Sequence, residues 1–442
     1  MARESRWPTA SATRATPTTA GSRWKRCATC WHRATSEPQS VPKPLPYGRQ
    51  LIEDDDVDAV VAVLKSDFLT TGPEVPAFEA AFAEAVDARF AVACSSGTAG
   101  LHLAAMAVDT GPGTAVVVPS ITFLATANAF RLMGAEVVFA DVDPDTGLMT
   151  PATAREALAR ATQAPKAIVP VHLGGQTADM AGLATVADEA GAVLVEDACH
   201  ALGTSYRTGG NSHTVGSGAH AVAAVFSLHP VKTVTAGEGG VVTTNDPTLA
   251  ERLARFRNHG MVRTPEQFTD GERAFAADGT ANRWYYEMPA VGLNYRLTDI
   301  QAALARSQLA KLPRFAETRQ RLVAFYDQRF AHLASVLRPV TLVPECDAVR
   351  HLYQVLIDFD AVGLDRNAFM AALAADGILT QVHYIPVHRQ PYYRSMAQDL
   401  DLPGADTFYA RTLSLPLFAA MDEADAERVA QAVERLLLPA LR

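Results

Sequence analysis

The run Val193-Leu194-Val195-Glu196-Asp197-Ala198-Cys199-His200 starts apolar and ends in charge. It reads as a buried strand whose last residues leave the sheet for a polar turn. Comparable apolar runs stand at 90–94, 115–118, 136–140, 167–171 and 221–226, with this one spanning 192–196. Helix-like stretches alternate with them at 98–108, 122–133, 151–162 and 178–190, after two amphipathic helices at 52–64 and 74–86. Such alternation predicts an α/β fold, a mostly parallel sheet sandwiched by helices. In sheets of this kind ligands lie beyond the carboxyl ends of the strands. The residues that follow each apolar run are therefore where chemistry is expected.

Four features fall there. Ser95-Ser96-Gly97-Thr98-Ala99-Gly100 follows a strand and opens a helix, so small residues let an anion approach free N–H groups. Asp197 stands at a strand end, where it can either cap a helix or face a ligand. Val225-Phe226-Ser227-Leu228-His229-Pro230-Val231-Lys232 carries a strand into a polar loop, and Gly237-Glu238-Gly239-Gly240 follows. Lys232 is the only lysine between Lys166 and Lys311. Alone it reads as a solvated surface group. Phe123, after Pro119-Ser120-Ile121-Thr122, can stack on a flat ring or sit in the core. Together an anion cradle, a carboxylate, an aromatic face and a lysine are what pyridoxal phosphate requires. Lysine holds that cofactor through its neutral amine, and a carboxylate keeps the pyridine nitrogen protonated. No dinucleotide or Walker fingerprint competes.

Downstream, 298–312 predicts a helix capped by Thr298, and Pro313 opens another at 314–333. A strand near 352–359, a helix near 366–376, a strand near 378–384 and a helix near 422–437 complete a smaller α/β unit. The domains are expected at 45–312 and 313–442. Residues 207–218 read as a loop, and 263–283 as a mobile one.

The 442 residues are 48% apolar and 20% charged, an ordinary globular mix able to bury a large core. No run approaches a membrane span of roughly 18 apolar residues. A net charge of −9 leaves no general nucleic-acid footprint. Five cysteines are too few for a disulfide scaffold and suit a reducing compartment. Residues 1–46 differ from the rest, with eight Lys/Arg against two acids and no apolar periodicity. A disordered basic extension is expected over 1–44, although an organelle transit peptide or a start codon assigned too early has the same composition. Cys27 and Cys30 have no partner pair and no His directly after them, so no metal site is expected.

Six strings now stand in order: Ser96-Gly97-Thr98, Glu196-Asp197-Ala198-Cys199-His200, Phe226-Ser227-Leu228-His229-Pro230-Val231-Lys232, Gly237-Glu238-Gly239-Gly240, Gly292-Leu293-Asn294-Tyr295-Arg296-Leu297-Thr298-Asp299 and Leu413-Ser414-Leu415-Pro416. Through them the chain from about 45 to 440 resembles the DegT/DnrJ/EryC1/StrS nucleotide-sugar aminotransferases. The resemblance implies a fold type I pyridoxal-phosphate transferase, with a mostly parallel seven-stranded sheet in the large domain and a smaller C-terminal α/β domain. It implies Lys232 as Schiff-base lysine and proton shuttle, and Asp197 on the pyridine nitrogen. His200 would lie near the ring hydroxyl and Phe123 on the ring, with Gly97, Thr98 and Ser227 around the phosphate. Asn294 would reach a neighbouring subunit's site, which makes the protein a homodimer with shared active sites. A cytoplasmic enzyme without nucleic-acid or membrane partners is expected.

Four further strings, Pro46-Tyr47-Gly48-Arg49-Gln50, Ser66-Asp67-Phe68-Leu69-Thr70-Thr71-Gly72-Pro73, Trp284-Tyr285-Tyr286-Glu287 and His383-Tyr384-Ile385-Pro386-Val387-His388, are similar to the 4-aminotransferases of pseudaminic acid biosynthesis. That resemblance implies glutamate as donor and a UDP-4-keto-6-deoxy-N-acetylhexosamine as acceptor. Tyr47, the segment Asp67, Phe68, Leu69, Thr70 and the segment His383, Tyr384, Ile385, Pro386 would line the sugar pocket, with Gly97, Ser227 and Asn294 beside them. His388 either helps there or is structural. Other readings are an aminotransferase for a dTDP- or GDP-linked keto sugar, a family dehydratase, or a non-catalytic regulator.

Overall fold

The computed structural model describes residues 43–396 and 400–441. All but the last two residues of the expected basic extension, Cys27 and Cys30 included, therefore lie outside the described residues. Seven strands form the central sheet: β1 (Phe90–Cys94), β2 (Thr114–Pro119), β3 (Glu136–Ala140), β4 (Ala164–Ile168), β5 (Val193–Asp197), β8 (Ala223–Ser227) and β9 (Gly240–Thr244). Their order across the sheet is β1-β9-β8-β5-β4-β2-β3. Strands β3, β2, β4, β5 and β8 run parallel, and β9 is antiparallel to both β8 and β1.

This topology gathers one end of the sheet. The carboxyl ends of β2, β5 and β8 share it because the strands are parallel. Strand β9 begins there, since Gly240 pairs with both Ser227 and Cys94. Two reversals across β9 turn β1 back into line with β8, so the helix Gly97–Ala107 also starts at this end.

Period-2 alternation divides the strands between two cores. On one face Ala93, Val117, Leu194, Ala224 and Phe226 meet Phe78, Phe82, Leu183, Val186 and Ala305 from flanking helices. On the other Val92, Val116, Val118, Val195 and Val225 meet Leu101, Phe130 and Leu253. A sheet buried on both sides needs near-continuous apolar strands. A third core surrounds the antiparallel sheet of β10 (Leu337–Pro339), β12 (Tyr353–Ile357) and β13 (Thr412–Leu415). Leu322, Tyr326 and Phe330 of the helix Leu312–Phe330 pack there with Val429 and Val433 of the helix Glu423–Leu437.

Three expectations need correction. The 207–218 stretch is not a plain loop. It holds the end of β6 (Ser205–Thr208) and all of β7 (Asn211–Thr214), a hairpin joined by Gly209 and Gly210 at φ 57° and 83°. Two consecutive positive φ angles are the requirement of a tight hairpin turn, which glycine meets without a Cβ clash. Strand β6 also pairs with β11 (Cys346–Asp347). Residues 378–384 form no ladder: Ile378 bridges Leu45, then Gln381 bridges Ser414, so the segment changes partner within three residues. The 298–312 helix is two. One spans Asp299–Leu309, and the next starts at Leu312 with Pro313 in its first turn. Thr298 caps the first as expected, accepting from the Gln301 amide at 3.2 Å. The 263–283 segment holds a 3-10 turn and one helical turn, tied down where the Glu287 carboxylate accepts from the Thr269 and Asp270 amides at 2.8 and 2.9 Å.

Candidate active site

A cavity of about 610 Å³ opens at the gathered strand ends. Tyr47, Gly97, Thr98, Phe123, Asp197, His200, Ser227, Lys232, Tyr384 and Ile385 all line it. Asp197 ends β5, Ser227 ends β8, and Gly97 and Thr98 open the helix after β1. Ser96 caps that helix by accepting from the Ala99 amide at 3.1 Å, which leaves the Gly97 and Thr98 amides without intrahelical partners. A Cβ on Gly97 would lie 2.9 Å from Ser227 Cβ. The missing side chain thus keeps a niche between a helix N-terminus and a hydroxyl, a fitting place for a phosphate.

Glu196 and Asp197 show how the strand sorts its acids. Successive side chains point to opposite faces. Glu196 is buried against His172, whose Nε2 lies 2.9 Å from Oε2. Asp197 turns into the cavity, and its Oδ1 accepts from the Cys199 amide at 3.2 Å. Lys232 shares the cavity. Burial pushes its amine below the ordinary lysine range, while the nearby Cys199 and Asp197 pull it back up. The lowered value favours the neutral, nucleophilic amine.

The imidazole of His200 is fixed in one tautomer. The Gly174 amide donates to Nδ1 at 3.3 Å, so Nδ1 carries no proton. Nε2–H therefore donates to Tyr384 Oη, 3.1 Å away, and leaves the tyrosine proton free for another acceptor. Burial, reinforced by Lys232 and His383, holds His200 well below its ordinary value, and burial holds the Tyr384 hydroxyl well above its own. Phe123 is 55% exposed, with its ring centroid 5.9 Å from that of Tyr384. An apolar ring left this open beside a carboxylate and an amine has a face to offer a flat ligand. Taken together, niche, amine, carboxylate and open ring fit pyridoxal phosphate.

Several expected residues are not brought to this cavity. Segment 67–70 is held elsewhere: Thr70 bridges Thr298, the Asp299 amide donates to Leu69 O at 3.1 Å, and buried Asp299 accepts from Gly72 and Glu74. Asp67, Phe68, Leu69 and Thr70 are exposed there. Asn294 is exposed and bridges Asn258, away from the chain's own cavity. Pro386 is buried outside the lining. His388 is corrected to a core residue. A 3-10 turn tucks it inward, and its Nδ1 lies 2.6 Å from Ser120 Oγ.

His383, expected in the pocket with its segment, lines the cavity with Nδ1 2.8 Å from Ser414 Oγ, and burial holds it down to about 3. Sequence reasoning misses others. His351, buried, has its ring 4.6 Å from that of His200. Thr126 donates to Asp197 Oδ2 at 2.6 Å across 71 positions of sequence. No spacing signal announces such a pair.

The family profile described as the DegT/DnrJ/EryC1/StrS aminotransferase family matches residues 50–434. Among solved structures, Helicobacter pylori PseC, an aminotransferase involved in the biosynthesis of pseudoaminic acid, is 28% identical with a TM-score of 0.80, covering 90% of this chain and 100% of its own. DesI, solved in the presence of its TDP-sugar product, is 32% identical with a TM-score of 0.76, covering 90% and 94%. The PLP form of Spr1654 from Streptococcus pneumoniae is 25% identical with a TM-score of 0.78, covering 90% and 100%.

Proposed function

Because the chain belongs to the DegT/DnrJ/EryC1/StrS aminotransferase family, whose members depend on pyridoxal phosphate, we propose that it moves the amino group of glutamate to C4 of a UDP-4-keto-6-deoxy-N-acetylhexosamine, in pseudaminic acid or a related surface-sugar pathway. The observation that carries this reading is the meeting of Lys232, Asp197 and the Gly97 niche at one cavity. Bound pyridoxal phosphate supplies an aldehyde that carries the amine between substrates and a ring that takes up an electron pair. Lys232 Nζ would hold that aldehyde. The same amine, when free, would move a proton to and from the reacting carbon, work suited to an amine whose basicity burial has lowered. Asp197 holds the proton on the ring nitrogen. The Gly97 and Thr98 amides and Ser227 Oγ bind the phosphate, and Phe123 covers the ring. His200 fixes Tyr384, whose free proton points a donor at a sugar or cofactor oxygen. Tyr47 and Ile385 stand at the sugar side.

The same reading takes 45–312 as the cofactor domain and 313–442 as the small domain. It also takes the protein as a cytoplasmic homodimer. The outward positions of Asn294 and of segment 67–70 suit residues that serve a neighbouring subunit's cavity. Identity of 32% with a TDP-sugar enzyme favours a dTDP-linked keto sugar as the second reading.

The test is incubation with glutamate and a panel of UDP- and dTDP-4-keto sugars, with product masses as readout. Amination of a UDP-linked N-acetyl sugar, abolished by Lys232→Ala, is expected. Turnover by Lys232→Ala would overturn the site. Amination of dTDP sugars alone would replace the substrate.

A further inference from the structure

Two hydroxyls stand at the back of the cavity, Thr122 in its lining and Thr126 behind it. Asp197 presents both carboxylate oxygens to donors: Oδ1 to the Cys199 amide at 3.2 Å and Oδ2 to Thr126 Oγ1 at 2.6 Å. Thr126 is in turn 2.7 Å from Thr122 Oγ1. Thr126 is fully buried and Thr122 is 1% exposed.

The direction of this chain follows from proton counting. An ionised carboxylate only accepts, so Thr126 must spend its single proton on Asp197. Its oxygen then has only lone pairs to offer, and Thr122 must donate to it. Two O–H dipoles thus align toward the carboxylate, each strengthening the next. The backbone amide and Thr126 together fix the rotation of the carboxyl plane, leaving its remaining lone pairs directed into the cavity.

We propose that Thr126, oriented by Thr122, is a positioning residue that sets Asp197 against the ring nitrogen of the cofactor. This rests on the assignment of Asp197 given above. Thr126 sits one turn along the helix Leu124–Leu132 from Phe123, so one helix start delivers both the ring-stacking face and the carboxylate clamp. Thr122 acts only through Thr126.

The test uses full-length protein loaded with pyridoxal phosphate, with the pH titration of its visible absorbance and cofactor retention on dialysis as readouts. Part of the strength of a hydrogen bond to a charged group is felt by the ligand, so Thr126→Val should weaken retention roughly tenfold. It should also displace the midpoint of the visible titration, and Thr126→Ser should restore both. Thr122→Val should give a smaller shift of the same sign, and the double variant no more than Thr126→Val alone. A wild-type titration and retention in Thr126→Val overturns the proposal, as does lost thermal stability with unchanged spectrum. Should Thr126→Val fail to fold, an unshifted Thr122→Val overturns it instead. Visible absorbance missing from the unsubstituted protein would overturn the cofactor assignment itself, and this inference with it.

Discussion

At the scale of single residues, the cavity works by what its neighbours withhold. Gly97 withholds a side chain. Adding one methyl places a carbon 2.9 Å from Ser227 Cβ, closer than carbon atoms tolerate, and relieving the clash must shift the end of β8 or the start of the helix, which changes the spacing between the serine hydroxyl and the helix amides. Gly97→Ala should therefore weaken pyridoxal phosphate binding by about tenfold, the worth of one charge-assisted hydrogen bond. Cofactor affinity measured by fluorescence quenching checks this, and unchanged affinity would remove Gly97 from the phosphate niche. Asp197 and Lys232 are legible in the sequence, because each follows an apolar run into a polar turn. Which of the two acids, Glu196 or Asp197, enters the cavity depends on strand alternation, and His172 occupies the other. Thr126 is not legible, since its meaning comes only from a carboxylate two strands away in the sheet.

At the scale of elements, caps and turns explain where sequence patterns succeed and where they fail. Thr298 is legible as a helix cap, and its hydroxyl and the Gln301 side chain satisfy each other's amides. Thr298→Ala should lower stability by about 1 kcal/mol, seen as a reduced urea midpoint at unchanged slope. Because Asp299 in the same turn anchors Gly72 and Glu74, the loss should be accompanied by faster amide exchange in segment 69–74. Unaltered exchange there would disconnect the cap from that segment. The hairpin β6–β7 escapes a pattern reading although Gly209-Gly210 marks its turn, since the flanking strands lack apolar alternation and read as loop. Residues 378–384 mislead in the opposite way. Their β-rich composition suits a strand, yet no single neighbour runs beside them long enough to build a ladder.

At the scale of the whole molecule, burial of several imidazoles in one place couples folding to pH. His383 is held down to about 3 from its ordinary 6.5 by burial and by Lys232. His200 and His351 are shifted in the same direction. Between the two values the unfolded chain binds a proton that the folded chain refuses, so stability is full above about pH 6.5 and falls as pH drops toward 3. Each such histidine contributes a slope of about 1.4 kcal/mol per pH unit while this holds. Urea midpoints should decline between pH 7 and pH 5, and His383→Asn should flatten the decline. An equally steep decline in that variant would shift the cause elsewhere. Among the described residues no helix is long and apolar enough to cross a membrane.

What the amino-acid order determined alone is local. Period and burial of the apolar runs dictated an α/β sheet covered on both sides, and their polar ends marked Asp197, Ser227 and Lys232. The tertiary structure decided who meets whom. Strand order placed β5 beside β8 and within reach of the helix after β2, joining Thr126 to Asp197. The packing of the 383–388 segment against the strand ends, where the Val387 amide donates to Ser120 O, joined Tyr384 to His200. Bridges to Thr298 and Asn258 held Thr70 and Asn294 away from their own chain's cavity. The reason is physical: alternation along a strand is set by neighbours in sequence, whereas a hydrogen bond across 71 or 184 positions exists only once the crossovers between strands have been chosen.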